Sequence, residues 1–391
     1  MFEFRIINKS LKARTGKYQT PHGMLYTPEI AFVATEGEIK RIPKEALKML
    51  PVKLIIVNTF HTYTKNILQK IEEEGDIHDY SGFHQTVMSD SGGFQVFSLG
   101  FGKAHGIGKI ASIFPGENTK EKGLLVVRDH DNLIHITDTG VMFNYDKKLL
   151  LFTPEMSIAI QERLGADIIF AFDECTSPLN SHEYTKKAMQ QTHEWLLRGI
   201  QAKTRPDQAL FAVIQGGAFA DLRKESTKFM AKQSVPGYGI GGSLGRSKED
   251  MRQILEWTIP LLPDEKPRHL LGIGQVRDIF ESVERGVDLF DCVIPTREAR
   301  HKVLYTTKGK INVRKMKTVN EVADKNCPCQ MCSNNVTIEQ LNHFFSVKDP
   351  KAFFYSTVHN IQFYSDLMEN IRQGINSGNL EKIKKNYSAY F

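Results

Sequence analysis

Three of the five cysteines in this chain, Cys327, Cys329 and Cys332, stand together in the string CPCQMC. Thiolates at C-x-C-x-x-C spacing can all reach one tetrahedral ion, and a structural zinc site closes with one further ligand. Two downstream histidines could supply it, His343 and His359. The second lies in FFYSTVHNIQFY, whose apolar neighbours can bury it against the cysteine loop. The other two cysteines, Cys175 and Cys292, are scattered, so the count is odd and no disulfide framework is indicated. A metal site in a reducing cytoplasm is the reading that fits. Three unligated thiols in a loop is the bland alternative, and iron-sulfur chemistry lacks a fourth nearby cysteine.

The other chemistry-bearing residues follow short apolar runs. MSDSGGFQVFSL sets Asp90 before Ser91, Gly92 and Gly93, where paired glycines allow a sharp turn and a close backbone approach to a ligand. FDECT supplies Asp173, Glu174 and Cys175; IQGG supplies Gln215, an amide able to read a donor and an acceptor on a planar heterocycle. GIGGS offers bare backbone N–H groups around Gly242. In FDCVIPTREARH, Asp291 precedes Arg297, Arg300, His301 and Lys302. Each has a bland reading: Asp90 as a helix cap, Asp291 as half of an ion pair, the glycines as turns. Taken as a set, two carboxylates suit glycosidic bond chemistry, one as nucleophile and one as general acid. The acids, amide and backbone suit a flat polar substrate such as a nucleobase.

The elements that position these residues can be read from the same runs. KLIIVNTF, TVMSDSGGF, ADIIFAFDE, ALFAVIQGG, YGIGGSLG, HLLGIG and VDLFDCVIPT are apolar without alternation, as in strands buried on both faces of a parallel sheet. Helical patterns lie between several of them, at 153–164 (Thr cap, then Pro, then Glu), 184–201, 249–262 and 275–285. This rhythm allows an open doubly wound sheet or a closed (β/α)8 barrel. Asp90, Asp173, Gln215, Gly242, Gly272 and Asp291 all sit at or just beyond strand carboxyl ends, which converge in a barrel, and no early G-x-G-x-x-G supports a dinucleotide fold. The expectation is a (β/α)8 TIM barrel over residues 1–305 and a zinc-binding subdomain with C-terminal helices over 306–391. A hairpin-like insertion is expected at about 100–135, from the strand-like pieces GLLVVRD and NLIHITD.

Composition narrows the function classes. With 391 residues, 41% hydrophobic and 25% charged, the chain has material for a sizeable core, and disordered or fibrous classes are excluded. No run approaches ~18 apolar residues, so neither a membrane span nor a signal peptide is expected. The formal net charge is only +6, yet eight Lys or Arg and one acid, Glu298, fall between Arg297 and Lys317. So lopsided a tract favours nucleic acid over a solvated face.

In these strings the chain resembles the tRNA-guanine transglycosylases, or queuine tRNA-ribosyltransferases. The resemblance runs through TPHG (20–23), NTFH (58–61), SDSGGFQVFSL, FDECT, IQGG, GIGGS, LLGIG, FDCVIPTREARH, CPCQMC and TVHN, nearly the whole length. It implies a soluble, cytoplasmic pentosyltransferase, usually a homodimer, with one structural Zn2+. It also implies exchange of guanine for a 7-deazaguanine at wobble position 34 of tRNAs with GUN anticodons (Asp, Asn, His, Tyr), in queuosine modification. By resemblance Asp291 is the nucleophile at the ribose anomeric carbon and Asp90 the general acid and base. Asp173, Cys175, Gln215 and Gly242 match base-recognition positions, Phe94 a stacking aromatic, Leu271 and Gly272 the pocket floor, and Asn58 a support for the two acids. Arg297 and Arg300 match positions near the RNA backbone, with Lys302 beside them. Cys327, Cys329, Cys332 and His359 match the zinc ligands.

Two departures stand out, of which the second bears on the incoming base. The insertion is absent from the familiar pattern, and the glycine loop reads GGSLGRS, with Ser243, Gly245 and Ser247 where bacterial members commonly carry GGL, a small residue and later a Glu. A glycine at 245 makes room for queuine; Cys175 resembles bacterial members, which take preQ1. The rival readings are a non-catalytic tRNA-binding subunit of the same family, the archaeal branch that modifies the tRNA D-loop, and a barrel hydrolase for small nucleosides. Retention of Asp90, Asp291 and the cysteine cluster speaks against the first, the short C-terminal region against the second, and the basic tract against the third.

Overall fold

The computed structural model describes residues 2–97, 134–146, 148–242, 244–316 and 318–391. A small sheet of β1 (Glu3–Ser10), β2 (Ala13–Thr20) and β3 (Gly23–Thr27) opens the chain. Then come β4 (Glu29–Val33), β5 (Leu54–Val57) and β6 (Thr86–Ser89), followed by a second small antiparallel sheet of β7 (Ile134–Ile136), β8 (Val141–Tyr145) and β9 (Lys148–Phe152). The series β10 (Ile168–Phe170), β11 (Ala209–Ile214), β12 (Gly237–Ile240), β13 (Arg268–Leu270) and β14 (Leu289–Cys292) is succeeded by a hairpin of β15 (Val303–Thr306) and β16 (Gly309–Asn312). Eight strands form a closed barrel in the order β10-β11-β12-β13-β14-β4-β5-β6. The TIM-type barrel is therefore observed, and the open sheet is excluded. The expected hairpin at 100–135 falls almost wholly outside the described residues; of it only β7 is seen.

The strands form where expected because their residues can be buried on both sides. All six residues of β11 (ALFAVI) and all four of β5 (LIIV) are buried. Glycine at alternate positions, Gly237, Gly239 and Gly241, lets larger neighbours cross β12: a Cβ there would meet Phe211, Phe170 and Val213, each within 3.0 Å. Helices follow the strands with their starts marked chemically. Thr153 accepts a hydrogen bond from the Met156 N–H before helix Pro154–Leu164, and Ser247 and Asp250 form a reciprocal capping box on helix Lys248–Thr258.

The chain separates into two compact units, residues 1–3, 58–76 and 88–271, and residues 4–57, 77–87 and 272–391. In the second, β14 pairs in parallel with β4, Asp291 opposite Ala31, which joins the last barrel strand to the first. Buried ion pairs hold this join. Arg14 donates two hydrogen bonds to Asp288 at 2.8 and 2.6 Å, both side chains being essentially inaccessible. Arg372, on the long helix Pro350–Asn376, reaches Glu29 at 2.8 Å and the Pro28 carbonyl at 2.7 Å. Such pairs are costly to break, since removing one partner strands the other charge in the core. Among the described residues, no helix is long and apolar enough to cross a membrane.

Candidate active site and metal centre

In the first unit Asp90 directly follows β6. Its carboxylate accepts four hydrogen bonds, from Asn58 Nδ2 (2.6 Å), the Thr59 N–H (3.0 Å), the Gly92 N–H (3.1 Å) and Gln95 Nε2 (3.0 Å). Asn58 is itself fixed, because its Oδ1 caps the helix Thr59–Thr64 by accepting from the His61 N–H at 2.8 Å. That bond forces the amide to present its NH2 to Asp90. Phe94 follows, a large side chain left 38% exposed.

The loops after β10, β11 and β12 gather a second cluster. Asp173 is buried and accepts from Gln215 Nε2 at 2.5 Å and from Ser91 Oγ at 3.3 Å. Burial pushes its pKa up to about 6, against the opposing effect of these donors. Gln215 Oε1, fully buried, has no hydrogen-bond partner among the described residues. Gly242 lies against it in the left-handed region (φ +73°), where a Cβ would stand 2.0 Å from that oxygen. Only glycine permits the amide to occupy this place. Cys175 is half-buried in the same loop as Asp173, and burial pushes its thiol well up, as protein thiols in apolar surroundings behave. Glu174 turns away, accepting from the Tyr184 hydroxyl at 2.8 Å, and burial raises it to about 7. Leu271, half-buried, is bonded through its N–H to the Ile240 carbonyl and lies within 3.0 Å of the Cβ position at Gly241.

The glycine at 245 acquires a reason of its own. Its φ is +84°, and a Cβ would stand 2.1 Å from the Cβ of Asp250, whose carboxylate accepts from the Arg246 and Ser247 N–H groups at 2.8 and 3.1 Å. Gly245 thus serves the loop's clasp onto Asp250, and this accounts for it without room for a bulkier base.

In the second unit Asp291, on β14, accepts from the Gly272 N–H at 2.9 Å. Arg297 and Arg300 lie on the following helix, Ile294–Arg300, both half-buried, Arg297 with a 3.8 Å contact to Glu298. Lys302 lies over the ring of Phe345, 4.8 Å from its centre. Lys308, Lys310, Arg314 and Lys315 are exposed on or beside the β15–β16 hairpin, so these four cations face solvent while Arg297, Arg300 and Lys302 are half-buried.

The sulfurs of Cys327, Cys329 and Cys332 stand 3.7, 3.5 and 3.5 Å from Nδ1 of His359, and all four atoms lie within 4.8 Å of one another. Tetrahedral zinc with ordinary Zn–S and Zn–N bonds separates a sulfur and a nitrogen ligand by about 3.6 Å, so the donor set fits that ion. His359 Nε2 lies 2.9 Å from the Tyr305 carbonyl, which selects the tautomer with Nδ1 free to bind metal. Burial disfavours the charged imidazole of His359, and the facing sulfurs of Cys329 and Cys332 favour it. The choice that spacing left open is settled: His359 joins the cluster, while His343 is exposed on helix Ile338–Ser346.

Sequence reasoning missed several participants. Gln95, inside the quoted SDSGGFQ string, is a fourth donor to Asp90. Asn360, beside His359, donates to the Pro295 and Val303 carbonyls at 3.1 and 3.0 Å and accepts from the Tyr305 N–H. Arg223 is buried beneath the loop cluster; its only signal was a cation on the apolar stripe of helix Ala220–Ala231.

A family model described as queuine tRNA-ribosyltransferase matches residues 9–390. The chain is similar to a protein of Herpetosiphon aurantiacus named queuine tRNA-ribosyltransferase, 40% identical over 96% of this chain and 88% of the relative. It is also similar to one of the same name from Aquifex aeolicus, 37% identical over 99% of this chain and 98% of the relative. A relative from Archaeoglobus fulgidus is 42% identical over 99% of both chains.

Proposed function

The chain belongs to the queuine tRNA-ribosyltransferase family of pentosyltransferases, and from that premise we propose that it exchanges guanine at wobble position 34 of GUN-anticodon tRNAs for preQ1. The observation that carries the reading is the buried Asp173–Gln215 pair, whose amide keeps one acceptor oxygen without a donor among the described residues, beside bare Gly242. A carboxylate, a free carbonyl oxygen and an open backbone together match the donor-rich edge of a guanine, and Phe94 offers a face for stacking. Gly245 is explained by Asp250, so the argument for queuine loses its support and preQ1 is preferred.

In this mechanism an Asp291 carboxylate oxygen attacks C1′ of the ribose, and the C1′–N9 bond breaks with its electrons leaving on guanine. Asp90 passes a proton to the departing base and accepts one from N9 of the incoming base, which attacks C1′ and returns the electron pair to Asp291. Two displacements give retention. The Gly272 N–H steadies the nucleophile, and the four donors around Asp90 hold the plane of its carboxylate. Water must be excluded while the ribosyl ester exists, since hydrolysis would leave an abasic site. The exposed cations between Lys308 and Lys315 bind phosphates in this reading, and the Cys3His cluster holds a structural zinc beside them in sequence. The test is incubation with a GUN-anticodon tRNA and labelled guanine, repeated with unlabelled preQ1 or queuine. Incorporation suppressed by preQ1 is expected. No incorporation, with salt-sensitive tRNA binding intact, would instead point to a non-catalytic RNA-binding subunit.

A further inference from the structure

Helix Ala220–Ala231 carries a guanidinium that its surface role does not need. Arg223 is wholly buried and directs three N–H groups at main-chain oxygens: Nε to the Gly217 carbonyl (2.7 Å), one terminal nitrogen to Ile214 (2.9 Å) and the other to Gly241 (3.0 Å). Those carbonyls flank Gln215 on one loop and immediately precede Gly242 on the next. The barrel ladder ends here: the Ile214 carbonyl still accepts the Gly241 N–H at 3.2 Å and takes the guanidinium as a second donor, while the Gly217 and Gly241 carbonyls lie beyond the ladder, where a buried carbonyl must find another donor. The close fit is mutual: a Cβ on Gly216, at φ +130°, would stand 2.8 Å from the backbone nitrogen of Arg223.

We infer that Arg223 is a positioning residue for base recognition, lacing the loop that carries Gln215 to the loop that carries Gly242. Arginine suits this task because its planar fork offers donors in fixed directions, so three oxygens on two loops are held by one rigid group. Lysine keeps the charge but presents a single point of donation at the end of a flexible stem. Because the Gly242 Cβ position is only 2.0 Å from Gln215 Oε1, a small relative shift of these loops changes the acceptor that the base would meet. Arg223 itself touches no substrate in this account. The inference rests on the base-exchange reading.

The test uses the full chain with Arg223→Lys and Arg223→Met, the second keeping an unbranched apolar stem. Guanine affinity without tRNA, tRNA affinity, and amide hydrogen exchange are measured on each and on the parent. Expected are guanine binding weakened at least tenfold in R223M and less in R223K, and tRNA affinity within twofold. Exchange should quicken at 214–218 and 240–246 while the rest of the barrel is unchanged. Unaltered guanine affinity in R223M would overturn the role, as would parallel loss of guanine and tRNA binding with exchange quickened everywhere, the signature of a merely structural arginine. A parent protein that binds no guanine, with the two loops still loosened in the variants, would overturn the base-exchange reading and with it this role in recognition; the exchange arm tells the two failures apart.

Discussion

Asn58 performs two separable duties, and replacing it with serine divides them. Its Oδ1 caps helix Thr59–Thr64, and its Nδ2 donates to Asp90 at 2.6 Å. Serine at an N-cap retains an oxygen for the His61 N–H but is too short to reach Asp90. Alanine loses both. A hydrogen bond to a charged group is worth about 1.5–3 kcal/mol, so if the bond is made fully in the transition state its loss slows the chemical step about 10- to 150-fold. The cap contributes about 1 kcal/mol of stability. The expected pattern is therefore N58S with near-parental stability and kcat for guanine exchange down at least tenfold at saturating tRNA, against N58A with a similar kcat and about 1 kcal/mol less stability in denaturant titration. N58S turning over within twofold of the parent would refute the claim that this amide supports the acid-base group. Equal destabilisation of both variants would refute the division of labour.

Asp291→Asn should abolish the covalent RNA adduct on denaturing gels, and an adduct that persists removes Asp291 as nucleophile. Metal analysis should find one zinc per chain, and Cys329→Ser should lower the zinc content and weaken tRNA binding; full zinc occupancy in that variant would dismiss the cluster as the site. The carboxyl of Glu174 is raised from 4.5 to about 7 by burial, so between these values the folded state holds a proton that the unfolded state releases, and stability falls as pH rises through this window. Glu174→Gln keeps an acceptor for Tyr184 without the charge, and should gain up to about 3 kcal/mol relative to the parent between pH 4 and pH 8; identical pH dependence of the two denaturation midpoints would show the carboxyl to be unperturbed.

Seven of the eight barrel strands were legible because buried parallel strands leave unbroken apolar runs, and the residues closing those runs are the ones that cluster after β6, β10, β11 and β12. The eighth, β4, was not read. It begins with Glu29, a buried carboxyl whose cationic partner Arg372 returns from far along the chain, a partner no local pattern reveals. Of the sheet β7–β9 only β7 was read, since β8 and β9 carry Asn, Tyr and Lys among their apolar residues and bury one side only. Cysteine spacing pointed to a cluster able to hold a metal but could not choose between two histidines; the Tyr305 carbonyl that orients His359 is 54 residues away. Arg223 stayed hidden because a helix stripe with one cation looks like an ordinary snorkelling face until the loop carbonyls above it are known.

The pairing of β14 with β4 also imposes a schedule on the nascent chain. Residues 29–32 find their partners at 289–292, and the Arg372 that neutralises Glu29 emerges later still. At ~5–20 residues per second of synthesis, β4 waits on the order of tens of seconds with one edge unsatisfied. An apolar strand held open that long is a ready template for pairing with another chain. This barrel cannot be closed from its beginning while the ribosome is still making its end, and the burden of keeping the first strand single falls on whatever shelters it in the meantime.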